Sequence, residues 1–327
     1  MPLDPDIQAM AQEVRALKLP PIDDVTVAQA RAGYSLRYRE RSLPPPVEVA
    51  IEHLQIPVAG GHIEARLYRP VCAGSELLPL VVYFHGGGFV LGDADAYELQ
   101  SMGLAARAHC AVLFADFRRA PEHVFPTAVD DAIASVEWAA ANHERLKTDR
   151  SRFAVMGDSA GGNLAINACL HARDHGRVTV ALQVLLYPVT DFRPFGPAEY
   201  RADARYPSVD HFSEGYLLDR PVMEWFARHY LSHREDVLDW RASPLLAADV
   251  TRLPPAVVIT AEYDPLRDMG AAFARRLEAS GTPVAYHCIG GMAHNFMGHV
   301  ARSAAAERAF AQVADILRTR LAGSGAP

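Results

Sequence analysis

Two hydrophobic patterns follow one another along the chain. In the stretch after Pro44-Pro45-Pro46, the apolar residues Ile63, Ala65 and Leu67 alternate with charged ones, which is the period of a half-exposed strand. From residue 79 onward the apolar runs are short and continuous, as in a strand that is covered on both faces. These runs are Leu80–Phe84, Ala111–Ala115, Phe153–Met156, Val180–Leu186 and Ala256–Thr260, and a last strand is predicted at Val284–Ile289.

Helix-length amphipathic stretches separate the apolar runs. They cover 94–109, 126–146, 160–174 and 265–280, and a last helix is predicted over about 302–321. A strand followed by a helix, repeated, predicts an α/β fold with a mostly parallel central sheet flanked by helices. Nearer the start, the pattern predicts helices over about 5–17 and 25–41, and strands over 47–57 and 62–68 joined by a turn at Gly60-Gly61.

One segment, about 192–240, interrupts this alternation with several prolines and many aromatic residues. We interpret it as an insertion that forms a helical cap over a pocket, because loops at the carboxyl ends of parallel strands build binding sites. The alternative is a surface helical excursion. The chain then divides into an N-terminal part of the cap (1–46), a first core part (47–191), the cap insertion (192–240) and a second core part (241–327).

Composition and charge exclude several classes of protein. Hydrophobic residues make up 50% of the 327 residues and charged residues 22%, which is ordinary globular composition. The formal net charge is −7 and no basic cluster occurs, so a nucleic-acid partner is not expected. There is no apolar stretch long enough for a membrane span and no apolar block of a signal peptide, so we expect a cytoplasmic protein. The cysteines lie far apart without a CxxC pair, which favours free thiols: Cys72, Cys110, Cys169 and Cys288.

The strongest chemical signal is Gly157-Asp158-Ser159-Ala160-Gly161, a G-x-S-x-G motif between a predicted strand and a predicted helix. Glycines on both sides of the serine allow a sharp turn that lifts its hydroxyl off the sheet. The helix N-terminus that follows favours developing negative charge. Ser159 is therefore the predicted nucleophile.

A second signal, His85-Gly86-Gly87-Gly88, follows the strand Leu80–Phe84 directly. Consecutive glycines expose backbone N–H groups, which a tetrahedral intermediate needs as donors to its oxyanion, together with the N–H of the residue after the nucleophile, Ala160. A flexible turn or a phosphate-binding loop is the alternative. The G-x-x-x-x-G-K-[ST] pattern of a P-loop does not occur.

An activated serine needs a base, and the base needs a carboxylate to orient it. Asp264 follows the carboxyl end of the run Ala256–Ala261 and is therefore the predicted acid. The alternatives are Glu262 and Asp268, although Asp268 is better suited to cap or support the next helix. His294, on a glycine-rich loop after the last strand, is the predicted base. The alternatives to His294 are His287, inside the strand, and His299, five residues further on.

These motifs together resemble one family. HGGGF at 85–89, GDSAGG at 157–162, DPLRD at 264–268, the later His294 and DFRRAPEH at 116–123 are similar to the hormone-sensitive lipase family of α/β hydrolases, the bacterial family IV carboxylesterases. The resemblance runs from about residue 47 to the end of the chain. It implies oxyanion donors from Gly87, Gly88 and Ala160, a cap, a small-molecule ester substrate and no cofactor. Arg119 and Asn295 depart from the family's usual residues.

Other functions remain open at this point. An amidase or lactonase uses the same triad, and some relatives of the family are non-catalytic receptors for a small ligand. A metal hydrolase is supported only by the spacing of His229 and His233.

We also expect an aromatic pocket, since ligand sites are mostly apolar, although core packing is the commoner fate of each such ring. The last strand, at a sheet edge, is a candidate surface for forming a homodimer. The candidates for the pocket are Phe89, Tyr97, Tyr187, Phe212 and Phe296.

Overall fold

The computed structural model describes residues 1–201 and 206–322, so residues 202–205 of the predicted insertion and 323–327 lie outside the description. Its strands are β1 (Val49–Val58), β2 (Gly61–Pro70), β3 (Leu78–Phe84), β4 (Ala111–Asp116), β5 (Thr148–Asp158), β6 (Leu182–Leu186), β7 (Ala256–Tyr263) and β8 (Val284–Ala293). Its helices are α1 (Pro5–Ala16), α2 (Val27–Glu40), α3 (Glu98–Ala108), α4 (Thr127–Ala141), α5 (Ala160–His175), α6 (Ala198–Arg201), α7 (Pro207–His211), α8 (Arg220–Tyr230), α9 (Arg267–Ala279) and α10 (Ala304–Arg320).

All eight strands belong to one sheet, in the order β1-β2-β4-β3-β5-β6-β7-β8. The pairs β1–β2 and β2–β4 are antiparallel, and every pair from β4 to β8 is parallel. This confirms the predicted α/β fold with a mostly parallel sheet. Because the parallel strands end at the same edge, the segments that follow β3, β5, β7 and β8 meet there.

The central strands are buried on both faces, as their continuous apolar runs predict. Along β3, Leu80 and Val82 pack into one core cluster with side chains of α4, α5 and α9. The residues between them, Val81 and Tyr83, pack into a second cluster with α1, α3 and α10. The sheet is thus the middle layer between two layers of helices.

The end of β8 differs from the prediction, because glycines interrupt its apolar run before the strand ends. β8 runs on through Gly290 and Gly291 to Ala293, where the sequence predicts a loop after Ile289. A register shift in the pairing with β7 between Ala261 and Tyr263 accommodates this extension. His294 therefore follows the strand directly. β8 is also the edge of the sheet, and most of its residues are partly or fully exposed.

Two further segments, residues 1–46 and the segment that follows β6, carry helices near the carboxyl ends of the parallel strands. Phe226 of α8 lies against Gly88, and Arg228 at the end of α8 forms an ion pair with Asp23, just before α2. The two segments therefore meet each other above the loop that follows β3.

Candidate active site

Ser159 lies on a sharp turn between β5 and α5. Its φ of 55° and ψ of −115° are unusual for a residue with a side chain. The turn leaves no room beside it: a Cβ on Gly161 would overlap the carbonyl oxygen of Phe84, and one on Gly157 would overlap the carbonyl of Gly161. The glycines of the motif are therefore required by close backbone packing, and Ser159 remains 8% exposed.

A chain of two hydrogen bonds joins three residues that the sequence places far apart. The Nε2 atom of His294 lies 3.0 Å from Oγ of Ser159, and its Nδ1 atom lies 2.8 Å from Oδ2 of Asp264. Asp264 is fully buried just after β7, and its other oxygen accepts a hydrogen bond of 2.8 Å from the amide of Leu266. This carboxylate is held in one orientation, which orients the imidazole in turn.

The alternative acids have other partners. Glu262 accepts a hydrogen bond of 2.8 Å from the amide of Gly291. Asp268 accepts one of 2.8 Å from the amide of Ser208, at the start of α7, and so supports that helix besides lying in the first turn of its own.

The alternative bases also lie elsewhere. His287 is a half-buried residue within β8. His299 is a buried residue at the end of the turn Phe296–His299 that follows β8, and burial lowers its pKa to about 3. The hydrogen bonds to Ser159 and Asp264 come from His294, and His299 forms neither of them in the described part of the chain.

The turn after β3 brings backbone amides to the side of Ser159. β3 pairs with β5 in parallel register, Phe84 opposite Gly157, so Gly87 and Gly88 begin beside the serine turn. Both have positive φ, 102° and 62°. Within the described part of the chain, neither amide donates a hydrogen bond to a protein group, which leaves both available as donors.

Asp158 is a buried carboxylate next to Ser159 to which the sequence assigned no role. Its Oδ1 atom accepts hydrogen bonds from the hydroxyl of Tyr83, at 2.6 Å, and from the amide of Gly86, at 3.0 Å. Burial raises its pKa above the ordinary value. The carboxylate links the turn after β3 to the turn that carries Ser159. In the sequence, the only indication of this role is the position of Asp158 in the GDSAGG motif.

The structure separates the five pocket candidates. Tyr187 follows β6 and stands edge-on to His294, with ring centroids 4.8 Å apart. Phe296 packs edge-on against Tyr187 at 5.2 Å. Phe212 is half-buried and lies 5.5 Å from the ring of Tyr263.

The other two candidates are fully buried among other aromatic rings. Phe89 stacks on Tyr230 with ring centroids 3.8 Å apart. The hydroxyl of Tyr97 lies 2.7 Å from that of Tyr34 and 3.4 Å from Asp158. Tyr187 is thus the candidate that packs against His294. Phe226, which lies against Gly88, is absent from the sequence-based set.

The two departures from the family pattern have local explanations. Arg119 forms an ion pair with Asp116 at 2.7 Å and donates to the carbonyl of Gly92. Asn295 has φ 60° and ψ 32°, a left-handed conformation that asparagine tolerates better than most residues. Neither interrupts the hydrogen bonds between Ser159, His294 and Asp264.

The described residues form neither a metal site nor a membrane-spanning helix. Across residues 1–201 and 206–322, no group of three or more His, Cys, Asp and Glu side chains is placed to hold a metal ion. Nδ1 of His229 instead donates a hydrogen bond to the carbonyl of Trp225, 2.9 Å away. None of the helices in this part of the chain has the length and apolar character needed to cross a membrane. Its four cysteines are all free thiols.

The fold and the site together define an α/β hydrolase. A family profile described as alpha/beta hydrolase fold matches residues 81–298. The chain is 38% identical over 308 residues to the carboxylic ester hydrolase LipN of Mycobacterium tuberculosis, covering 90% of this chain and 77% of that protein. It is 37% identical over 308 residues to ethyl acetate hydrolase of Pseudomonas putida, covering 91% and 92%. The hyperthermophilic esterase of Pyrobaculum calidifontis superimposes with a TM-score of 0.89 at 37% identity, covering 98% and 100%.

The chain therefore belongs to the hormone-sensitive lipase family of α/β hydrolases and is an enzyme of the carboxylesterase class. This confirms the resemblance found in the sequence motifs.

Proposed function

We propose that this enzyme hydrolyses short- to medium-chain carboxylic esters of small molecules through Ser159, His294 and Asp264. The observation that carries this proposal is the unbroken path from Oγ of Ser159 through the imidazole to the carboxylate, 3.0 Å and 2.8 Å long. Hydrogen bonds of this length allow proton transfer in both directions between the serine, the leaving group and the histidine.

The reaction follows from these positions. His294 takes the hydroxyl proton as Oγ of Ser159 attacks the ester carbonyl, and Asp264 stabilises the imidazolium that forms. The amides of Gly87, Gly88 and Ala160 donate to the oxyanion. The alcohol leaves with the proton from His294, and water then attacks the acyl-enzyme by the same steps in reverse. Removing one oxyanion donor costs about 10²–10³ in rate in other hydrolases.

We assign residues 1–46 and 192–240 to a cap over this site, which leaves 47–191 and 241–327 as the core. Three contacts support the division. Phe226 lies against Gly88, Ser208 binds Asp268 just after the acid, and Arg228 pairs with Asp23 across the two cap segments. A homodimer through the exposed edge of β8 remains part of the proposal, and light scattering tests it.

Hydrolysis of p-nitrophenyl esters of rising acyl length by the native chain and by Ser159→Ala tests the assignment. Activity that is greatest on short and medium acyl chains and that disappears in the variant supports it. A folded native enzyme without activity on any of these esters contradicts it, and the same series of amides and lactones then measures the alternative use of the triad. Activity that survives in Ser159→Ala contradicts the assignment of the nucleophile.

A further inference from the structure

The turn that presents the oxyanion amides is a strained segment of backbone. Gly87, Gly88 and Phe89 have φ values of 102°, 62° and 64° in succession. Glycine adopts such angles freely, but a phenylalanine does not. A strained conformation at a functional site persists only where its surroundings hold it.

The surroundings of this turn lead to one side chain from the N-terminal helix α2. The carbonyl of Phe89 accepts a hydrogen bond of 2.9 Å from the amide of Ala120. Nε of Arg31 donates to the carbonyl of Val90, which closes the turn, and Nη2 of Arg31 donates to the carbonyl of Ala120, both at 2.9 Å. One guanidinium therefore binds both Val90, at the end of the turn, and Ala120, whose amide holds Phe89 in the turn.

The same guanidinium is fixed by a carboxylate. Nη1 and Nη2 of Arg31 donate to the two oxygens of Glu122 at 2.7 Å and 2.6 Å, a bidentate pair. Bidentate pairs between arginine and carboxylate are geometrically specific as well as strong. The hydrogen bonds from Arg31 lower the pKa of Glu122 to about 2, so this carboxylate is ionised at neutral pH.

Val90 connects Arg31 to the amides themselves. Its own amide donates to the carbonyl of Gly87 at 3.1 Å, and the amide of Leu91 donates to the same carbonyl at 2.8 Å. The carbonyl of Gly87 is thus held by two amides, and the hydrogen-bonded turn from Gly87 to Val90 contains the amide of Gly88 and directly follows that of Gly87.

We propose that Arg31 is a positioning residue for the oxyanion hole, and that helix α2 is in this way part of the catalytic apparatus as well as of the cap. The inference rests on the proposed function, because it takes the amides of Gly87 and Gly88 as the oxyanion donors. The hydrogen bonds of Arg31 go to the carbonyls of Val90 and Ala120 and to the carboxylate of Glu122. Arg31 acts by holding the carbonyls of Val90 and Ala120, so its loss affects the transition state more than substrate binding.

The test compares Arg31→Gln with Arg39→Gln. Arg39 is on the same helix, two turns further on, and forms a 3.1 Å ion pair with Asp95 in which both side chains are more than half exposed. In the described part of the chain it forms no hydrogen bond or ion pair with the turn from Gly87 to Val90. Each variant is assayed with p-nitrophenyl butyrate at a temperature where circular dichroism shows it folded, with kcat calculated per titrated active site.

A trifluoromethyl ketone with the same carbon chain adds a direct measure of the oxyanion hole. Oγ of Ser159 adds to its carbonyl carbon, the hydroxyl proton passes to His294, and the carbonyl oxygen becomes an alkoxide that the amides bind. For Arg31→Gln we expect kcat to fall about 10-fold with KM within about twofold, and the inhibition constant of the ketone to rise by a similar factor. Arg39→Gln is expected to stay within about twofold on all three measures.

Two further variants keep the test decisive. Arg31→Lys keeps the charge but not the planar fork, so we expect it to recover only a minor part of kcat. Glu122→Gln leaves Arg31 in place but weakens its anchor, and a smaller change, about threefold in kcat and in ketone affinity, is expected. If Arg31→Gln does not fold, an unchanged Glu122→Gln overturns the proposal.

The outcomes separate this inference from the proposed function. Unchanged kcat and ketone affinity in Arg31→Gln, or an equal loss in Arg39→Gln, overturns the role of Arg31. The role of Arg31 is also overturned if Arg31→Gln loses thermal stability but keeps its kcat per active site and its ketone affinity. A residue with a purely structural role would give that result. A native enzyme without esterase activity contradicts the proposed function instead.

Discussion

The ring of Tyr187 stands edge-on to the imidazole of His294, with centroids 4.8 Å apart and an angle of 65° between the planes. Tyr187 is fully buried and follows β6, the strand between those that carry Ser159 and Asp264. The tyrosine therefore limits the space beside the base.

Replacing Tyr187 by alanine is expected to change the selectivity between esters. Removing the ring opens space beside His294, so kcat/KM for branched or aromatic esters should rise relative to that for acetate by about 10-fold. Tyr187→Phe keeps the ring and is the control. Equal relative rates across an ester series in Tyr187→Ala and the native enzyme would show that this ring does not bound the pocket. The alanine variant should also lose about 3 kcal/mol of stability, the usual cost of removing a buried aromatic ring.

Asp264→Asn should leave the fold intact and lower kcat by about 10⁴, as the same change does in serine proteases. An asparagine amide facing Nδ1 of His294 favours the wrong tautomer, in which Nε2 no longer accepts the serine proton. The rival acid provides a matched control: Glu262 binds the Gly291 amide, and Glu262→Gln should retain kcat within about threefold. A comparable loss in both variants would count against Asp264 as the orienting carboxylate.

Gly88→Ala should destabilise the enzyme as well as inactivate it. A Cβ at position 88 would overlap the ring of Phe226, and the φ of 62° disfavours alanine. Adding Phe226→Ala removes the overlap but not the backbone strain. Urea denaturation of the two single variants and the double variant should therefore show a coupling energy of about 1–3 kcal/mol, the double variant being more stable than the sum of the single effects. Additive effects would mean that the two residues do not compete for this space.

His299 should make the enzyme sensitive to acid. Its folded pKa of about 3 lies below the ordinary 6.5, so below pH 6.5 the unfolded chain binds a proton that the folded enzyme excludes. Stability is therefore lost as pH falls from 6.5 toward 3, by up to about 1.4 kcal/mol per pH unit and about 2 kcal/mol between pH 7.5 and 5.0. Urea midpoints at these two pH values should show a smaller difference in His299→Gln. The control is His62→Gln, at an exposed position of the β1–β2 hairpin, and a difference that stays unchanged in His299→Gln would refute the prediction.

Much of the fold could be predicted from local sequence, because a strand that is buried on both faces has a continuous run of apolar residues. Continuous apolar runs indicate β3 to β7, and alternation indicates β2. The end of β8 could not be predicted in this way. An edge strand carries a mixed pattern, and its last residues pair with Tyr263 across a register shift that only the partner strand determines.

The candidate site divides in a similar way. The chain order of Ser159, Asp264 and His294, and the glycine turns beside them, follow from residue types whose chemistry and backbone freedom are intrinsic to each residue. The sequence by itself thus determined the reaction class and the residues proposed to carry it out. Only the tertiary structure decided which aromatic ring lies against His294, what holds Asp158, and that Arg31 reaches the oxyanion turn. Such relationships depend on long-range contacts, as between Arg31 and Glu122, which are 91 positions apart in the chain and leave no local pattern in it.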